Sequence, residues 1–247
     1  MTHSLLNKPS CIIVVPAFNE EKSLGSVLTG IVESGYRCVV VDDGSTDGTS
    51  DIARQFPVDL LRLPINMGVG GALRLGFNFA VANNFDAAIQ FDADGQHKHP
   101  EIESLLREAN SSGADLVIGS RFRVARSNQE TPFTRRVAMK VLARIASWYA
   151  RTALTDTTSG FRLIRRPLLE QFAKHLPTHY LGDTFEALVL AGRAKYRVSE
   201  VATAMSKREF GTSSASRLTA ISLIARAVLA VLFKLSTPFT DNPNYGR

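Results

Sequence analysis

Short apolar runs alternate with longer stretches of helical spacing through the first half of the chain. Cys11-Ile12-Ile13-Val14-Val15 is a β-branched run that reads as a first strand, stopped by Pro16. Residues 20–34 read as a helix. Cys38-Val39-Val40-Val41 is a second strand ended by Asp42-Asp43-Gly44, after which Ser45-Thr46-Asp47 offers N-cap side chains for a helix toward Gln55. Residues 59–63 are a third strand, and residues 68–84 a helix with Ala72, Leu73, Leu75, Phe77, Ala80 and Val81 at its apolar positions. A fourth strand over 87–91, a helix over 101–112 and a fifth strand at Leu116-Val117-Ile118 complete the series. Alternation of this kind predicts an α/β fold, a mainly parallel central sheet with helices on both faces. Ligands of such sheets bind at the carboxyl ends of the strands. Asn19-Glu20, Asp42-Asp43, Asn66 and Asp92–Asp94 all follow strands and are expected on one rim.

The pattern changes after Arg121. Residues 122–158 carry Arg123, Arg126, Arg135, Arg136, Lys140, Arg144 and Arg151, with Val137, Val141, Leu142, Ile145, Trp148 and Tyr149 between them at roughly helical spacing. A strand is expected over 161–164, helices over 167–176 and 184–194, a strand pair or one long strand over 197–205, and a final helix over 216–235. No linker separates these elements, so 1–247 reads as a single domain.

Composition narrows the class without choosing the chemistry. The 247 residues are 45% apolar, enough for one large domain with a sizeable core. The 29 basic against 23 acidic residues give +6, compatible with nucleic acid, anionic lipid or phosphorylated substrates alike. The two cysteines, Cys11 and Cys38, sit in strand-like runs and read as buried apolar residues, which points to a reducing compartment. Residues 1–10 lack a secretory apolar region, and the longest apolar stretch, 218–235, is interrupted by Arg226 and Lys234. The chain is not expected to cross a membrane, though it could lie on one.

The chemistry concentrates in Gln90-Phe91-Asp92-Ala93-Asp94-Gly95-Gln96. Residues i and i+2 of a strand share a face, so Asp92 and Asp94 are expected to point into one crevice. A hard divalent cation with oxygen ligands relieves the repulsion between two such carboxylates and keeps positions open for a diphosphate. An isolated Asp-x-Asp is also the mark of a polar loop with two solvated acids. Other motifs fail: Gly68-Val69-Gly70-Gly71 departs from a dinucleotide loop at Leu73, and neither a phosphate-binding Walker loop nor a Gly-x-Ser-x-Gly elbow occurs. His97-Lys98-His99 allows a transition-metal site, or else His99-Pro100 opens the next helix while His97 faces the cleft.

Seven motifs occur in a telling order: Val15-Pro16-Ala17-Phe18-Asn19-Glu20, Val41-Asp42-Asp43-Gly44-Ser45-Thr46-Asp47-Gly48-Thr49, Asn66-Met67-Gly68, Asp92-Ala93-Asp94-Gly95-Gln96, Gly119-Ser120-Arg121, Ser159-Gly160-Phe161-Arg162, and Arg208-Glu209-Phe210-Gly211-Thr212-Ser213. Together, over about residues 11–215, they resemble the family-2 glycosyltransferases of GT-A fold, in the branch of dolichyl-phosphate mannose synthase and the polyprenyl-phosphate glycosyltransferases. The resemblance implies a nucleotide-binding half (10–121), an acceptor-binding half (122–215) and an amphipathic C-terminal helix (216–236). It implies that Pro16, Ala17 and Glu20 line the nucleotide pocket with Asn66, Gly68 and Ala93, and that Asp42 or Asp43 accepts hydrogen bonds from base or ribose. Asn19 would hold that loop, or cap a helix, as would Asp47. Asp92, Asp94 and Gln96 would bind Mg²⁺ or Mn²⁺ across the donor diphosphate, and Arg208 would pair with phosphate. Arg121 and Arg162 are either phosphate ligands or members of structural ion pairs. Asp183 is either a general base, needed only for a hydroxyl acceptor, or a helix N-cap.

The implied activity is inverting transfer of a sugar from a GDP- or UDP-sugar to a polyprenyl phosphate, with Asp94, Asp183 and Arg208 as the catalytic set. The alternative is transfer to a saccharide hydroxyl in a cell-envelope polysaccharide. A nucleotidylyltransferase would open with a Gly-rich basic loop where this chain has Pro16-Ala17-Phe18-Asn19, and no nucleic-acid-binding motif is evident. The basic helix near residues 135–151 and the helix over 216–235 suit the headgroup region of a membrane, or else a core or dimer contact. The expected location is cytoplasmic, peripheral at the inner face of the membrane, with a separate small membrane protein as a candidate anchor.

Overall fold

The computed structural model describes residues 5–121, 133–176, 182–206 and 239–244; the side chains of the helices opening at 133 and 182 are described from Met139 and Thr184 onward. Among the described residues, seven strands form one sheet in the order β3-β2-β1-β4-β6-β5-β7. They are β1 (Cys11–Ala17), β2 (Arg37–Asp42), β3 (Asp59–Arg62), β4 (Ala87–Gln90), β5 (Leu116–Ser120), β6 (Arg162–Arg165) and β7 (Val198–Ala202). The helices are α1 (Leu24–Glu33), α2 (Thr49–Ala53), α3 (Val69–Ala82), α4 (Ile102–Ser112), α5 (Phe133–Ala150), α6 (Leu168–His175) and α7 (Gly182–Arg193). The expected mainly parallel sheet is present, with β6 running antiparallel to both β4 and β5.

Alternation along β1 builds the core on both sheet faces. Ile12 and Val14 pack into a layer with α3, α5, α6 and α7, while Cys11, Ile13 and Val15 join α1 and α4 on the other side. The chain winds from β1 out to β3, then crosses back to place β4 on the other side of β1. That reversal makes a topological switch point between β1 and β4, and open α/β sheets take ligands beyond the carboxyl ends of the strands at such a point.

Several elements differ from expectation for identifiable reasons. Pro16 does not end β1; it pairs with Val41, and Ala17 with Asp42. Val14 accepts from the Phe91 N–H on the β4 side, so position 16 faces a neighbour that has already ended, and the N–H that proline lacks costs no ladder bond. The first helix starts at Leu24 because residues 19–21 are drawn into the adjoining loop, and α2 is only one turn long. Residues 197–205 give a single strand followed by an isolated bridge between Met205 and His97. The predicted helix over 216–235 and the motif at Arg208 lie outside the described residues. Among the described residues no helix is long and apolar enough to cross a membrane. Helix α5 buries Leu142, Ala146 and Ala150 against the α7 side and turns Lys140, Val141, Arg144 and Trp148 outward, with Trp148 73% exposed.

Candidate active site

The rim beyond these strand ends is laced from short polar side chains. Asn19 sits in the left-handed region at φ 56°; its N–H donates to Ser45 Oγ (3.0 Å) and its Oδ1 accepts from the Thr46 N–H (2.9 Å). The Glu20 N–H donates to Thr49 Oγ1 (2.9 Å), and Asp47 accepts from the N–H groups of Glu21 (3.2 Å) and Thr49 (3.0 Å). Asn19 thus holds the loop and is the N-cap of neither α1 nor α2; the N-cap of α2 is Gly48, and Asp47 before it accepts from the first helical N–H, that of Thr49. Gly44, at φ 73°, lets this loop touch the next; a Cβ there would sit 2.7 Å from the Ile65 carbonyl carbon.

The two aspartates at the end of β2, expected to accept from base or ribose, are both enclosed. Asp42 accepts from the Ser45 N–H (2.8 Å) and the Ser50 hydroxyl, with Arg62 Nε 3.6 Å away. Burial opposes its ionisation, but those donors hold it below the usual carboxylate range. Asp43 is also buried and accepts from the Met67 N–H (2.7 Å); burial outweighs that bond and pushes its carboxyl up. A buried carboxylate must be satisfied by the chain itself, so this pair shapes the rim. Pro16, Glu20 and Gly68 are partly exposed along it, Asn66 is exposed with Oδ1 accepting from the Gly68 N–H (3.0 Å), and Ala17 is buried beneath.

Asp92 and Asp94 follow β4 on either side of buried Ala93, and both are partly exposed. Asp92 Oδ2 lies 3.0 Å from His97 Nε2, and Asp94 Oδ1 accepts from the Gln96 N–H (3.0 Å). Burial works against the Asp92 charge, yet His97, Gln90 and the more distant Arg121 keep its carboxyl low. Gly160 backs onto the same carboxylate, where a Cβ would meet Asp92 Oδ2 at 2.7 Å and Gln90 Nε2 at 3.1 Å. The donors here are hard oxygens, and no group of three His, Cys, Asp or Glu among the described residues could hold a metal alone. Two carboxylates with an amide oxygen fit a Mg²⁺- or Mn²⁺-type ion that takes its remaining ligands from phosphates and water.

The arginines separate. Arg121 forms a bidentate pair with buried Asp156 (Nε–Oδ2 2.7 Å, Nη2–Oδ1 3.0 Å), and its charge also acts on Asp92 and Asp94. Arg162 is buried, and its nitrogens donate to the carbonyls of Ser159 (2.7 Å), Thr184 (2.9 Å) and Thr157 (3.3 Å). It thereby ties the loop before β6 to the first turn of α7. Asp183 is the second residue of α7 (Gly182–Arg193). Arg208 lies beyond the described residues; Ser206, two positions earlier, donates its N–H to the Gln96 carbonyl (2.9 Å) in the Asp92–Asp94 loop. His99-Pro100 opens a short helical turn before α4, as expected, and His97 turns to Asp92. Reasoning from the sequence missed Gly160, Asp156 and Glu200, whose buried carboxylate accepts from the N–H groups of Thr155 (2.9 Å) and Asp156 (2.7 Å). Only Gly160 carried a signal, being inside a motif.

Residues 12–172 match the model of glycosyl transferase family 2. The chain is 30% identical over 217 residues to polyprenol monophosphomannose synthase of Mycolicibacterium smegmatis, covering 83% of this chain and 80% of that one. It is 28% identical over 207 residues to a UDP-N-acetylglucosamine–dolichyl-phosphate N-acetylglucosaminyltransferase of Methanococcus voltae, covering 76% and 82%. Its fold is similar to that of glucosyl-3-phosphoglycerate synthase from Mycobacterium tuberculosis, solved with Mn²⁺, UDP-glucose and phosphoglyceric acid, at TM-score 0.65 and 20% identity over 92% of this chain and 81% of that one.

Proposed function

The chain belongs to glycosyl transferase family 2, and from that premise we propose that it moves a sugar from a nucleotide-sugar to a polyprenyl phosphate, with inversion, at the inner face of a membrane. The observation that carries this reading is the Asp92–Asp94 loop at the sheet's switch point, facing the laced rim of Asn19, Ser45 and Thr49. In this reading Pro16, Ala17, Asn19, Glu20, Asn66, Gly68 and Ala93 cradle the nucleotide, while Asp42 and Asp43 keep the rim in shape. Mg²⁺ or Mn²⁺, held by Asp92, Asp94 and Gln96, would supply positive charge where the leaving diphosphate gains negative charge. Arg208 pairs with phosphate, and the Arg121 charge adds to the same field.

The bond from anomeric carbon to diphosphate oxygen breaks with its electron pair leaving on the diphosphate, and an acceptor oxygen bonds to the opposite face. A phosphate oxygen is already ionised and needs no base, so Asp183 is required only for a hydroxyl acceptor. The acceptor class is supported by the two relatives whose names specify a polyprenol or dolichyl phosphate. The outer face of α5, with Lys140, Arg144 and Trp148, suits an anionic lipid surface, with the helix expected over 216–236 and a small membrane protein as further anchors. In the test, UDP- and GDP-sugars are incubated with polyprenyl phosphate and Mn²⁺ or Mg²⁺, and glycolipid is detected by mass spectrometry. EDTA, Asp92→Ala and Asp94→Ala are each expected to lower turnover about 100-fold or more. Undiminished transfer in EDTA would overturn the metal's role, and transfer to hydroxyls with none to polyprenyl phosphate would overturn the acceptor.

A further inference from the structure

His97 is fixed more completely than any turn residue needs to be. Its side chain is almost fully buried, stacked on Phe161 (ring centroids 4.9 Å, planes 22° apart) and met edge-on by Phe91 (5.4 Å, 73°). Its backbone bridges to Met205, and the adjacent Gln96 carbonyl accepts from the Ser206 N–H. The ring's polar contact is to Asp92: Nε2 lies 3.0 Å from Oδ2. Nδ1 is buried with no partner among the described residues, so a neutral ring carrying its hydrogen on Nε2 leaves no orphaned donor. Nε2–H then donates to Asp92. Gly160, having no Cβ, closes the other side of that carboxylate, with the Gln90 amide beside it. Asp92 is thus clamped between an aromatic-locked donor and bare backbone.

We infer that His97 is a positioning residue, holding Asp92 in the orientation in which it shares a divalent cation with Asp94. The inference rests on the metal-dependent reading above. Outer partners of this kind typically set metal affinity by 10–100-fold.

The test is Mn²⁺ binding followed by electron paramagnetic resonance, with UDP and in parallel with GDP. His97→Phe keeps a ring between Phe91 and Phe161 and removes the donor; His97→Gln replaces Nε2–H with an amide N–H. The Mn²⁺ Kd is expected to rise about tenfold or more in His97→Phe and less than about threefold in His97→Gln, with nucleotide binding in EDTA unchanged in both. Should His97→Phe fail to fold, as judged by its melting curve, His97→Asn replaces it, its shorter amide falling short of Asp92. Wild-type Mn²⁺ affinity in the donor-less variant overturns the inference, and so does an equal loss in His97→Gln. A wild-type protein that binds no Mn²⁺ with either nucleotide overturns the metal-dependent reading and this inference together.

Discussion

Gly160 shows how one missing carbon serves a site. The space its Cβ would take is the edge of the Asp92 carboxylate. Gly160→Ala is therefore expected to lower Mn²⁺-dependent turnover about tenfold while leaving the melting temperature nearly unchanged, checked by Mn²⁺ titration of activity beside a thermal melt. Asp156 is the opposite case, a residue whose effect is on stability. Burial alone would raise its carboxyl; the Arg121 guanidinium and the Thr158 side chain more than offset that, so it titrates below the ordinary range. A group depressed in the folded state stabilises fully above its unfolded pKa of about 4, and that stability is lost as pH falls through the lower folded value. Asp156→Asn should destabilise the protein by about 2 kcal/mol at pH 7, less than a fully buried pair because Arg121 stays 38% exposed and can rehydrate. Chemical denaturation across pH would show the gap to wild type closing below about pH 4. Motif spacing made Asp92 and Asp94 legible in the sequence, although the strand ends at Gln90 and both lie in the turn beyond it, not on one strand face. The Arg121–Asp156 pair and the enclosure of Asp42 were not legible, since their partners come together only when distant loops meet.

At the scale of elements, the apolar period located every strand of the first half to within two residues; for β1 and β2 the reason is that a central parallel strand must be apolar on both faces. What the period does not carry is pairing order, so the antiparallel insertion of β6 between β4 and β5 had no sign in the sequence. The same burial on both faces decides the thiols. Cys11 on β1 and Cys38 on β2 are free and enclosed; burial pushes Cys11 up to about 11 and Cys38 higher still. At pH 8 neither carries appreciable thiolate, the reactive form. Ellman's reagent should find no accessible thiol in the native protein and both after guanidinium denaturation; prompt native reaction would mean that β1 and β2 open locally.

Across the whole molecule, the parts that bind donor and acceptor in the proposed reading are not side-by-side bodies. The strands β6 and β7, from the later part of the chain, flank β5 from the earlier part within one sheet. Motif order alone made the GT-A architecture legible, whereas this interleaving depends on contacts that a linear pattern does not encode. Spacing made α5 legible as a helix mixing basic and apolar positions; that Val141 and Trp148 share its outward side with Lys140 and Arg144 is a finding of the structure.

The antiparallel strand has a consequence for how the protein is made. A ribosome delivers β5 some forty residues before β6 and later still β7, its two neighbours, so β5 leaves the tunnel with nothing to pair with. Cutting the gene after residue 121 would leave that strand unpaired along both edges. A boundary drawn at residue 121 is therefore not a seam at which the polypeptide can be divided.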